Sequence, residues 1–168
     1  AFVFLGARHG DVTLAANQVL LQFLGILSYA LDGFAFAAET LVGQAIGARA
    51  AQQVRQAVRL ALIWTFWGGV VLGLGFWLAG PWLIDLMATA PEVRAEARLY
   101  LPWIVAAPIF GALAWAYDGI YIGALLTREM RRLMLIAAAA YVVALGVLWP
   151  FGNHGLWAAM MVLFAVRS

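Results

Sequence analysis

The sequence predicts an all-α integral membrane protein, and three observations carry that prediction. Of 168 residues, 66% are hydrophobic and 11% charged, and the mean hydropathy is +0.94; a water-soluble core would need more polar residues to cover it. Uninterrupted apolar stretches near or above the roughly 20 residues that cross the hydrocarbon recur along the whole chain. They are long and continuous, whereas transmembrane barrel strands alternate over segments of about 10 residues.

Polar interruptions bound the elements. Residues 1–7 form the tail of a first helix, 13–47 a long second, 60–80 a third, 99–126 a fourth, 133–149 a fifth and 156–166 a truncated sixth. That makes four complete spans and two partial ones. The connection 81–98 contains its own apolar piece, PWLIDLMA, expected to lie as a short helix at the membrane interface. The chain begins and ends inside apolar segments, with no initiator methionine or secretory signal, as a fragment of a longer polytopic protein would.

Orientation follows from arginine, because loops rich in basic residues stay cytoplasmic. Arg49, Arg55 and Arg59 follow the second helix, Arg128, Arg131 and Arg132 the fourth, and Arg167 the sixth. The opposite connections mix Arg8, Arg94 and Arg98 with Asp11, Asp85, Glu92 and Glu96 and are external. So placed, the net charge of +2 implies no nucleic-acid partner.

Little else offers chemistry. There is no cysteine, and His9 and His154 sit in short polar connections where a solvated imidazole is expected rather than a metal ligand. No phosphate-binding glycine loop, nucleophile elbow or zinc motif occurs. Neither a cofactor, a bound metal nor an enzyme is expected from these residues.

Three charges remain within the spans, Asp32, Glu39 and Asp118, all acidic and with no basic residue among those spans to neutralise them. A charged carboxylate at mid-bilayer costs about 2.5–3.5 kcal/mol on insertion scales. Such a residue is either a structural hydrogen-bonding group or a site that binds and releases a proton or cation. At 100° per residue, one half of the second helix collects Asn17, Gln18, Gln22, Tyr29, Asp32, Glu39 and Gln44, with Gly25, Gly33, Gly43 and Gly47. The other half holds Leu20, Phe23, Leu24, Leu27, Leu31, Phe34, Leu41, Val42 and Ala45. The polar half belongs against other helices or a water-filled cavity, which makes Asn17, Gln22 and Tyr29 cavity candidates. Glu39, two turns nearer the cytoplasm than Asp32, suits a solvated or structural role better.

The fourth helix carries Pro108 inside it, where a kink is expected and a carbonyl of the preceding turn is freed. Ten residues later Asp118 lies among Trp115, Tyr117 and Tyr121. An acidic group among aromatic rings suits a lipophilic cation, which gains a counter-charge and cation–π contacts. Tyrosine and tryptophan also mark the membrane interface, the plainer reading of Tyr121.

LAANQVLLQ (14–22) and LVGQAIGAR (41–49), at the two ends of one helix, together with LDGFAFAAE (31–39), YDGIYIGALLTREMR (117–131) and GNHGLW (152–157), resemble the motifs of the multidrug and toxic compound extrusion (MATE) transporters. Within that family they are similar to the DNA-damage-inducible protein F branch. The resemblance covers nearly the whole chain. It implies the C-terminal six-helix lobe of a twelve-helix transporter in a bacterial inner membrane, whose partner is the N-terminal lobe of the same protein. It also implies an antiporter that exports organic cations or amphipathic compounds in exchange for protons, or sodium, by alternating access. The tenth helix of sodium-coupled relatives carries a cation-holding acidic residue, and Asp118 falls there. Those relatives use a second acidic residue on helix seven, which FVFLGAR lacks, so protons are the expected coupling ion.

Three other readings compete, one of them a non-transporting structural membrane subunit, against which the polar face of the second helix argues. Intramembrane aspartyl proteases also pair two aspartates, and Tyr117-Asp118 fits one half of their signature. Tyr29-Ala30-Leu31-Asp32 lacks the glycines of the other half, and no Pro-Ala-Leu triplet occurs. A lipid flippase of the same superfamily would be expected to place basic residues inside its cavity.

Overall fold

The computed structural model describes residues 2–6 and 10–168; His9 and Arg8 lie outside them. The described residues form α1 (Phe2–Gly6), α2 (Asp11–Gly47), α3 (Ala51–Met87), α4 (Pro91–Gly123), α5 (Thr127–Leu148), a 3-10 turn (Trp149–Phe151) and α6 (Gly152–Arg167), with no strand among them. Four stretches are long and apolar enough to cross a membrane: α2, α3, α4, and α5 with α6 through the turn between them. At 37 residues each, α2 and α3 are about 55 Å long and overreach a bilayer of about 40–45 Å including headgroups.

The centre is α4. Half of its apolar window is buried inside the lobe, against 6% for the α5–α6 stretch, so α4 is the helix around which the others pack. Small residues let them close on it. Along α3 the buried positions are Ala57, Ala61, Thr65, Gly69, Gly73, Phe76, Gly80 and Ile84, recurring at three and four. This seam of small side chains lets two backbones approach without losing interhelical contact. A Cβ added at Gly69 would lie 2.7 Å from the Pro108 carbonyl oxygen, and one at Gly73 2.9 Å from that of Val105. Pro108 is therefore seated on the glycines of α3, fully buried, inside a helix that runs unbroken from Pro91 to Gly123.

The apolar half of α2 turns inward. Leu20, Phe23, Leu27 and Leu31 are fully buried, and Phe23 stacks on Phe76 of α3 with ring centroids 5.5 Å apart. Further along, α2 and α4 run side by side so closely that a Cβ on Gly119 would fall on the carbonyl oxygen of Ala35, and one on Gly123 on that of Glu39.

Between α3 and α4 the structure departs from expectation. PWLIDLMA is not a separate interfacial helix; it completes α3, which continues through Pro81 to Met87. Contacts with α4 extend it. Ile84 is fully buried, and the Arg98 guanidinium donates to both oxygens of Asp85 at 2.7 and 2.6 Å. Pro91 then opens α4 at the position where a missing N–H costs nothing.

Helices α2 and α4 end alike. Arg49 and Leu125 take left-handed φ angles of 51° and 57°. The amides of Arg49 and Ala50 return to Ile46 and Ala45, and those of Leu125 and Leu126 to Ile122 and Tyr121, closing both helices with a Schellman pattern. At the other end of the lobe α5 turns into α6 at Gly152, whose φ is 60°.

Candidate functional site

The proposed cavity residues of α2 part company in three dimensions. Gln18 and Gln22 are exposed and Tyr29 is 80% exposed, while Asp32 and Glu39 are half-buried. The part of the polar half that carries Gln18, Gln22 and Tyr29 therefore points away from this lobe. Among the described residues neither Asp32 nor Glu39 forms a hydrogen bond or ion pair. The Glu39 backbone is pressed against Gly123. Asp32 is within electrostatic reach of Asp118.

Asn17 behaves differently. It is 1% exposed and exchanges two hydrogen bonds with Asn153 of α6: its Nδ2 donates to Asn153 Oδ1 at 2.7 Å, and Asn153 Nδ2 donates to its Oδ1 at 3.0 Å. Trp157 Nε1 donates to the same Asn17 oxygen at 3.0 Å. A Cβ on Gly6 would lie 3.0 Å from Asn17 Nδ2, so α1 closes over the cluster. Asn17 is a buried tie between α2 and α6, and its place on the polar half of the helical wheel hid this. Asn17→Leu is expected to destabilise the protein by about 2–4 kcal/mol, since it strands the Asn153 amide and the Trp157 N–H in a dry interior. The check is the shift in thermal unfolding of the full-length protein, with the exposed Gln22→Leu as the comparison; equal shifts would remove the tie.

Asp118 has a partner that linear reading did not supply. Arg167 is the last residue of α6, and its guanidinium Nη2 donates to Asp118 Oδ2. The arginine does not lie beyond its helix but ends it, beside Asp118. Asp118 itself is five residues, about 8 Å, from the end of α4. The two side chains are 24% and 18% exposed. Beside them is a cleft of about 10 Å³, lined by Asp118, Tyr121, Met130, Leu133, Met134 and Arg167, room for a single water. An organic cation does not fit there, and the guanidinium already occupies the cation position.

The aromatic ring around Asp118 is correspondingly smaller than the sequence suggested. Trp115 is buried at 9% exposure and packs on Phe164, centroids 5.3 Å apart. Tyr117 joins the small core of Ala38, Val42 and Ile120, its ring 6.2 Å from that of Tyr121. Of the three, only Tyr121 lines the Asp118 cleft.

His154 belongs to the first turn of α6, where its Nδ1 accepts from Trp103 Nε1 at 3.1 Å and its ring lies 4.6 Å from that of Tyr100. Thr13 Oγ1 donates to Glu96 Oε1 at 2.9 Å, tying the starts of α2 and α4. No signal in the linear order pointed to either contact. Among the described residues no three histidine, aspartate or glutamate side chains gather closely enough to hold a metal ion.

A family model described as MatE matches residues 1–149. The chain is 38% identical over 168 residues to the DNA damage-inducible protein F of Escherichia coli (strain K12), covering 100% of this chain and 37% of that protein. It is 26% identical over 169 residues to Protein DETOXIFICATION 42 of Arabidopsis thaliana, covering 98% of this chain and 32% of the relative. It is also 29% identical over 155 residues to a probable multidrug resistance protein NorM of Pseudomonas syringae pv. tomato (strain ATCC BAA-871 / DC3000), covering 88% and 31%. The chain thus spans about a third of the length of these relatives. Four stretches long and apolar enough to cross a membrane, in a chain with bacterial MatE relatives, make this an integral protein of the inner membrane.

Proposed function

Since the chain belongs to the MatE family of transporters, we propose that it supplies the helices of one lobe of a secondary antiporter that expels organic cations or amphipathic compounds. Protons are the coupling ion of this proposal, and alternating access of two lobes is its mechanism. The observation that carries it is Asp32. It is a half-buried carboxylate without a partner among the described residues, on the half of α2 that presents Gln22 and Tyr29 outward from the lobe.

Lipid cannot satisfy such a face, so a water-filled cavity bounded by the remainder of the protein is its natural environment. There a carboxylate can take a proton from one side and surrender it when a cationic substrate arrives, because like charges exclude one another from a low-dielectric site. Tyr29 beside it offers a cation a π face. Asp118 has a different part in this scheme. Its charge is met by Arg167, so it holds the ends of α4 and α6 together rather than exchanging ions. The same pairing weighs against lipid flipping, because the Arg167 guanidinium is engaged and not free to receive a phosphate.

The test is efflux of an organic cation from vesicles bearing the full-length protein, driven by an imposed proton gradient. Asp32→Asn is expected to abolish gradient-driven efflux while the protein stays folded and binds substrate. Efflux by Asp32→Asn at the wild-type rate would remove Asp32 from the mechanism, and coupling to sodium alone would replace the proton.

A further inference from the structure

The seam between α2 and α3 opens as three cavities in a row, of about 350, 290 and 350 Å³. They adjoin: Leu41 and Leu60 line both the first and the second, and Phe34 and Trp64 both the second and the third. The first lies at the end that the arginine-rich connection assigns to the cytoplasm; Gln44, Gln53 and Gln56 line it, with no acidic residue on its wall. Arg49, exposed on the connecting turn, follows directly on Ala48 of that wall. The second and third are apolar, walled by Phe34, Trp64, Trp67, Val71 and Leu72. We propose that this groove is a binding site for a phospholipid of the cytoplasmic leaflet, its phosphate headgroup among the three glutamines and one acyl chain along the tryptophans.

Dimensions favour that occupant. From Leu41 to Ala30 on α2, and from Leu60 to Leu72 on α3, the apolar part extends about 17 to 18 Å. One leaflet of hydrocarbon is about 15 Å deep. The apolar part thus has the length of an acyl chain that crosses one leaflet, with the glutamines at one end of it. Carboxamide N–H groups and a nearby guanidinium donate to phosphate oxygens.

Two details add to this. Phe34 lies across Gly68, where an added Cβ would be 2.8 Å from its ring, so the absence of a side chain there makes the floor of the groove. Ala61 and Thr65, both small and buried, back the middle cavity and give it its depth. The apolar part of the groove faces elsewhere than the proposed transport cavity: at 100° per residue Phe34 and Leu41 lie about 100–140° around α2 from Gln22 and Tyr29. Gln44, at the headgroup end, lies at the edge of the polar half, about 40–60° from them. The test measures lipid retention and needs no transport.

Native mass spectrometry of the delipidated full-length protein, titrated with phosphatidylglycerol, measures retention. Ala37→Trp, which fills the middle cavity, and the triple change Gln44→Leu, Gln53→Leu, Gln56→Leu are each expected to weaken retention of one phospholipid at least about tenfold. Val143→Trp, on an exposed position of α5, is expected to leave it unchanged. Equal retention by wild type and both groove variants would overturn the proposal. A second arm places benzoylphenylalanine at Leu60 and irradiates native membranes. An adduct of phospholipid mass supports the site, and an adduct with a peptide of the same protein or a second one shows that a helix fills the groove instead.

Discussion

Gly119→Leu is expected to abolish the folded lobe, with Gly119→Ala destabilising it by about 1–3 kcal/mol or more. The obstacle is backbone. A Cβ on Gly119 falls on the carbonyl oxygen of Ala35, and the same contact recurs one turn on between Gly123 and Glu39. A side-chain neighbour could rotate aside, but a carbonyl moves only with its helix. Separating α2 from α4 would open the seam through Ala38, Val42 and Ile120. It would also weaken Cα–H contacts to the Ala35 and Glu39 carbonyls, and lipid returns no hydrophobic gain for helices that part. Gly33, with nothing within 4 Å of an added Cβ, is the matched control, and Gly33→Ala is expected to be neutral or slightly stabilising. Size-exclusion chromatography and thermal unfolding of the full-length protein as a fluorescent fusion decide the matter. A monodisperse Gly119→Leu protein with the wild-type melting temperature would show that the two backbones are not in contact.

The second large effect concerns Arg167. Arg167→Met is expected to cost about 2–4 kcal/mol, the range for stripping a partner from a buried charge after allowing for the residual exposure of 18% and 24%. Attraction between the pair is only part of the cost. Most of it is the Asp118 carboxylate left without a counter-charge next to Leu133 and Met134. The double change Asp118→Asn with Arg167→Gln removes both charges at similar volume and is expected to recover most of the loss. Thermal unfolding of Asp118→Asn, Arg167→Gln and the double closes a mutant cycle. Additive losses would mean that the two groups do not interact.

The length of α2 was legible because its apolar and polar positions keep a 3.6-residue period from Leu20 to Ala45, and Leu20, Phe23, Leu27 and Leu31 are indeed the buried stripe. The same wheel misled for Asn17. A polar residue on a polar face and one that bonds a neighbouring helix look alike until Asn153 and Trp157 are placed, 136 and 140 residues away. PWLIDLMA was misread because Pro81 and the charges after it imitate a helix boundary, whereas burial of Ile84 and the Asp85–Arg98 pair carry the helix through. Pro108 by itself predicts a kink and a free carbonyl; its seat on Gly69 and Gly73 depends on a second helix that periodicity in α4 does not reveal.

Composition and periodicity alone dictated a helical membrane protein, because apolar stretches of this length leave the backbone no other way to satisfy its hydrogen bonds in lipid. They also singled out Asp32 and Asp118 as costly groups in an apolar setting. Whether each carboxylate is paired was decided only in three dimensions. Electrostatic energy in a low-dielectric interior depends on distances of a few ångströms between helices, and nothing in the linear order brings Arg167 to Asp118 while leaving Asp32 unpaired among the described residues.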